Sequence, residues 1–278
     1  MDSIVSTPTE DKISRAKDVE NATNKINREM GKAIVEFKMI EEGDKILIAV
    51  SGGKDSLCML HFLMAFQKKA PINFELLAVN VDQKQPGFPE HILPNLFTEW
   101  GVPYHIEAKD TYSIVLNKTK PGKSFCSLCS RLRRGILYGI AREHGCNKIA
   151  LGHHQDDLLE TFMMNAFFSG QLASMPAHYR IEKEDLSVIR PLYAVPEETI
   201  STFVSAQDWP IIPCNLCGSQ EGLKRNEVKH LLSTLHQKHP KLKSTLFGAL
   251  HHPDPRFLFN KDLWGGDIPS IKKQDQEV

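Results

Sequence analysis

A chain of 278 residues, 41% of them hydrophobic, is long enough to form one large domain or two small ones around a sizeable core. Its 34 Lys and Arg balance 34 Asp and Glu, so any nucleic-acid or membrane contact has to come from a local patch. Apolar runs such as 46–50 and 74–81 fall far short of the roughly 20 residues that cross a bilayer, and residues 1–18 lack the apolar block of a secretory signal. The chain is expected in the cytoplasm.

Residues 1–20 are polar and are expected to be disordered, ahead of a catalytic domain over 21–220 and a helical segment with a frayed tail over 221–278. Ile26, Met30, Ala33, Ile34, Phe37 and Ile40 recur at steps of three and four, which predicts a helix over 24–40 ended by Glu41-Glu42-Gly43. An apolar strand from Ile46 to Val50 then stops at a Ser-Gly-Gly turn, after which Leu57, Leu60, His61 and Met64 resume helical spacing. The alternation continues with strands at 74–81, 103–107 and 148–151 and helices near 89–100, 129–144 and 156–168. Strands apolar on both faces and separated by helices predict an α/β fold, a parallel sheet with helices on both faces. Past Gly170 the pattern loosens to a strand at 187–191, a helix near 197–208 and a polar helix over 221–238.

Ser51-Gly52-Gly53-Lys54-Asp55-Ser56 stands where a buried strand hands over to a helix. In α/β sheets ligands bind at that end of the strands. Two glycines let successive amides point at one spot, and the helix start adds partial positive charge suited to phosphate oxygens. Ser51 and Ser56 can donate hydroxyls, and Lys54 can supply charge. The Walker A spacing is not met, so an ordinary P-loop hydrolase is disfavoured.

Six cysteines are too few for a disulfide scaffold, and four of them form two pairs of identical spacing, Cys126/Cys129 and Cys214/Cys217. Cys58 and Cys146 stand alone and read as small hydrophobes. The first pair opens a helix beside Arg131, Arg133 and Arg134, an electropositive setting of the kind that favours metal-binding thiolates. A zinc site, a persulfide relay and an iron–sulfur cluster all use such pairs, and spacing alone does not choose among them.

The hexapeptide matches the Ser-Gly-Gly-x-Asp-Ser signature of the PP-loop ATP pyrophosphatases. Residues 127–135 and 213–220, with Asp82-Gln83-Lys84-Gln85-Pro86-Gly87-Phe88-Pro89 and Ala150-Leu151-Gly152-His153-His154, closely resemble the tRNA 2-thiocytidine biosynthesis proteins. That resemblance implies ATP cleaved between its α- and β-phosphates, with pyrophosphate held by Ser51, Gly52, Gly53, Lys54, Asp55 and Ser56. Adenine and ribose would rest against Ala78 and Asn80, and Gly152 would allow close approach of the nucleotide. Catalytic roles fall to Lys54, Asp55 and Asp156, with Asp55 and Asp156 holding Mg²⁺; for Asp156 a helix-capping role weighs equally. A 4Fe-4S cluster would be held by Cys126, Cys129 and Cys217, leaving Cys214 free. The implied partners are tRNA, met by Arg131, Arg133 and Arg134, and a sulfur donor such as a cysteine desulfurase, with no membrane; a homodimer is the assembly the resemblance allows. Another PP-loop tRNA-modifying enzyme and a zinc-containing ATP-binding module are the alternatives.

Overall fold

The computed structural model describes residues 8–118, 125–182, 185–212 and 220–264. Along the chain lie α1 (Pro8–Glu36), β1 (Lys45–Ala49), α2 (Lys54–Gln67), β2 (Glu75–Asp82), α3 (Ile92–Trp100), β3 (Tyr104–Ala108), α4 (Thr111–Lys118) and α5 (Phe125–Glu143). They are followed by β4 (Lys148–Ala150), α6 (Gln155–Phe168), β5 (His178–Arg180), β6 (Ser187–Ile189), α7 (Glu197–Val204), α8 (Gln220–Lys238) and α9 (Leu242–His251). The chain divides into two compact units, Met1–His230 and Leu231–Val278. The second carries α9 and two short 3-10 turns, Pro255–Phe257 and Lys261–Trp264. The first holds the sheet.

The strand order is β3-β2-β1-β4-β6-β5. All neighbours run parallel except β5, which pairs antiparallel with β6 at the edge. From β1 the chain moves outward through β2 to β3, and β4 then starts on the other side of β1. The crevice beyond β1 and β4 is therefore a topological switch point, where sheets of this kind take their ligands.

Period-two alternation assigns the strand residues to two covered faces. Leu47, Leu77, Val79 and Val188 pack with Leu137, Ile140 and Ala141 of α5 in one buried cluster. Ile46 and Ile48 point to the opposite face and are fully buried; α2 packs against β2, and α7 packs on both α1 and α2. Burial on both sides accounts for the apolar runs read as a parallel sheet.

Three differences from the sequence reading stand out. Helix α1 begins at Pro8, so the segment expected to be disordered is helical over most of its length. The same helix stops at Glu36, before the predicted Glu41-Glu42-Gly43, because Lys38 adopts a left-handed φ of 48°. Strand β5 and helices α4 and α9 were not anticipated. Three residues are too few to display a period, and α4 buries only Thr111 and Val115. Cys58 and Cys146 are buried, and burial pushes both thiols up, as suits packing residues.

Beneath the other end of the sheet, Lys148 Nζ meets Asp44 Oδ2 at 2.7 Å, with side chains 6% and 5% exposed. Asn147 donates to the second Asp44 oxygen at 2.7 Å and accepts from the Lys45 amide, so the pair is fully hydrogen-bonded. Removing one partner of a buried pair strands the other's charge. Asp44→Ala is expected to lower stability by about 3 kcal/mol, measured as a shift in the urea-unfolding midpoint at unchanged m-value.

Candidate active site

The turn after β1 is shaped by its glycines and knitted by its serines. Gly52 has φ +87°, a conformation that suits glycine, and a Cβ added there would lie 2.9 Å from Ile212 Cδ1. The Ile212 amide donates to the Gly52 carbonyl at 3.0 Å, so the peptide leading to the second cysteine pair is clasped to the turn. The Ser51 amide donates to Ser56 Oγ at 3.2 Å, and Ser56 Oγ donates to the Gly53 carbonyl at 2.9 Å. The hydroxyls expected to face phosphate thus also hold the turn in shape. From β4, Gly152 presses on this loop, where a Cβ would fall 3.2 Å from the Ser56 amide nitrogen and Cα.

Together these elements enclose a cavity of about 320 Å³ at the switch point. Ser51, Gly53, Asp55, Ser56, Asn80, Gly152 and Arg133 all line it, gathered from β1, β2, β4 and α5. Lys54, Gly52, Ala78 and Asp156 are not part of this lining. Ala78 is fully buried within β2, and Val79, Asn80 and Val81 form the wall instead. Asn80 is 3% exposed and anchored by its amide to the Val50 carbonyl at 2.7 Å. Its Oδ1 has no hydrogen-bond partner among the described residues, an acceptor that suits an incoming donor.

Lys54 reaches Asp55 Oδ1 at 2.6 Å and Glu197 Oε1 at 3.1 Å, and Glu197 also meets Lys229 at 2.9 Å. Burial alone would lower the Lys54 ammonium, but the Asp55 and Glu197 carboxylates outweigh it and raise it above the ordinary range. Burial would likewise raise Glu197; hydrogen bonds from Lys229 and Lys54, with the Lys54 charge, bring it down to about 2.

Sequence reading gave Glu197 no role, and Asp156 explains its placement. Asp156 is 5% exposed and accepts the Glu197 amide at 2.7 Å, holding the first turn of α7 against α6. The carboxylate expected to bind Mg²⁺ therefore has a positioning task. Asp157 accepts the His154 amide at 3.1 Å, capping α6, and pairs with Arg225 at 2.8 Å. Arg225 and Lys229, both on α8, are thus ion-paired with α6 and α7.

On α5, Cys129 Sγ lies 3.1 Å from Gln83 Oε1 and 3.9 Å from Arg133 Nη2, and both neighbours line the cavity. Arg133 Nε is buried and without a partner among the described residues, whereas Arg131 and Arg134 are exposed. Cys126 belongs to the first turn of α5. Cys214 and Cys217 lie outside the described residues, as do Lys120 and Lys123 of the preceding loop.

The PP-loop domain family matches residues 22–235. A tRNA-cytidine(32) 2-sulfurtransferase from Marinobacter nauticus is 51% identical over 259 residues, which cover 93% of this chain and 86% of that one. One from Polaromonas naphthalenivorans is 54% identical over 233 residues, covering 84% and 74%. Among solved structures, the U34-tRNA thiolase NcsA from Methanococcus maripaludis with its 4Fe-4S cluster shares the fold, with a TM-score of 0.67 at 24% identity over 85% of this chain and 81% of that one. Sheet and turn together define a PP-loop protein. At this level of identity the chain belongs to the tRNA-cytidine(32) 2-sulfurtransferase family. No described helix is long and apolar enough to cross a membrane.

Gly52→Ala forces a side chain into a left-handed conformation and against Ile212, and is expected to cost about 1–2 kcal/mol of stability and to weaken ATP binding, as equilibrium dialysis will measure. Glu197 contributes stability that is complete above its ordinary 4.5 and is lost progressively as pH falls toward 2. Urea melts across that window are expected to show Glu197→Gln losing less stability on acidification than the parent chain.

Proposed function

We propose that this chain uses ATP to activate carbon 2 of a cytidine in tRNA, at position 32 of the anticodon loop, and replaces its oxygen with sulfur. The observation that carries the reading is the convergence of the phosphate turn, Arg133 and Cys129 on one cavity at the switch point. In the first step the carbonyl oxygen bonds to the α-phosphorus, and the bond to the pyrophosphate oxygen breaks with its electron pair. In the second, hydrosulfide bonds to carbon 2, AMP departs with the carbon–oxygen pair, and the sulfur's proton passes to solvent.

The residues divide the work by position. The amides of the turn cradle the departing pyrophosphate, and Lys54, released from Asp55 or Glu197, offsets its charge. Asp55 is the carboxylate at the cavity and holds Mg²⁺, which typically takes one or two carboxylates together with substrate phosphates. The unpaired Asn80 oxygen receives the amine of the adenine. Arg131 and Arg134, exposed on α5, meet tRNA phosphates while the target base leaves its stack to enter.

Cys126, Cys129 and Cys217 would hold the cluster, and of these Cys129 sets its Sγ against two residues of the cavity wall. Held there, such a cluster would supply iron to carry the sulfide used in the second step. The proposed partners are tRNA and a sulfur donor such as a cysteine desulfurase, in the cytoplasm.

A bacterial strain unable to make 2-thiocytidine, complemented with this chain, is expected to regain that nucleoside by mass spectrometry of its tRNA, and the Cys129→Ala chain to leave it absent while still binding ATP. Complementation without 2-thiocytidine overturns the reading.

A further inference from the structure

His153 lines the cavity but has no part in the chemistry above. Its setting is specific. Arg190 Nε donates to His153 Nδ1 at 3.3 Å. A guanidinium only donates, so Nδ1 accepts, which makes the ring neutral and places its proton on Nε2. Arg190 is itself fixed: it is buried, donates from Nη1 to the Pro176 carbonyl, and sets its guanidinium carbon 5.5 Å from the centre of the Tyr179 ring. Burial, with the Arg190 charge beside it, pushes His153 down to about 4, in keeping with a ring that stays neutral in the cell. Among the described residues none is hydrogen-bonded to Nε2.

We propose that His153 donates a hydrogen bond from Nε2 to a non-bridging oxygen of the ATP α-phosphate, with Arg190 behind it as the positioning residue. The proposal rests on the ATP-dependent reading of the same site and adds a residue to it.

Two placements support this partner. Gly152 is pressed against Ser56, so the residue after it stands beside the phosphate turn. The sheet order β2-β1-β4 also puts Asn80 and His153 on opposite flanks of that turn. One flank offers an unpaired acceptor; the other offers the His153 donor. The first suits the amine of a base and the second the oxygens of a phosphate.

Chemistry excludes the other roles open to the ring. Nδ1 is occupied, and the cytidine carbonyl has no proton to give, so a general base has no work here. A donor on that carbonyl would withdraw electron density from the attacking oxygen and slow the first step. A donor on the α-phosphate opposes the negative charge that builds there as pyrophosphate leaves, and again as AMP leaves.

The test uses the anaerobically reconstituted full chain with ATP and unmodified tRNA, reading pyrophosphate release and 2-thiocytidine. His153→Leu is expected to lower kcat about 100-fold with little change in ATP affinity by equilibrium dialysis. His153→Gln, which carries an amide near the Nε2 level, is expected to recover most of that loss, and His153→Asn, whose amide sits near the Nδ1 level, to recover none. The Gln and Asn pair decides the matter even if the Leu chain does not fold. Nitrogen-15 NMR of labelled histidine, assigned by the signal missing from His153→Gln, is expected to show the Nε2–H tautomer in the parent and a mixture in Arg190→Gln. An Nδ1–H tautomer in the parent, or equal activity of the Gln and Asn chains, overturns the proposal. A parent chain that neither releases pyrophosphate with tRNA nor makes 2-thiocytidine refutes instead the reading on which it rests.

Discussion

The approach of Ile212 to Gly52 is the contact from which the site is built. A left-handed glycine turns the chain sharply after β1, and only a residue without a side chain lets Ile212 come close enough for its amide to bond to it. One small residue therefore does two jobs. It shapes the turn after β1 and fixes the peptide that runs on toward the second cysteine pair. Gly152 repeats the device from β4, where its lack of a Cβ lets that strand's end settle on the start of α2.

Charge within the site is arranged in advance. Lys54 is paired with Asp55 and Glu197, and Glu197 with Lys229 in turn. The pairing keeps a half-buried ammonium charged, and the carboxylates at once set the cost of drawing it away. Asp156 belongs to the same arrangement, since its hold on the Glu197 amide places the counter-charge.

The local parts of this site are legible in the sequence. An apolar run ending in Ser-Gly-Gly announces the strand, the turn and the helix. What the sequence hides are pairings made by the fold. Cys129 meets Gln83 across 46 residues, and Asp156 meets Glu197 across 41. Neither distance has a periodic signature. The hold of Asp156 on α7 was hidden for the same cause: a first-turn acid reads alike whether it binds a metal or holds a neighbouring helix. Helix α1 escaped detection before residue 24 because residues 12–18 are exposed and show no apolar stripe, and burial begins only at Ala22.

The short antiparallel strand β5 has an effect beyond closing one side of the sheet. It exposes only three residues of backbone and runs against its neighbour, so it offers little template on which a second chain could lengthen the sheet. That border is blunted against edge-to-edge aggregation, and the other border is left as the longer rim that must be guarded by other means.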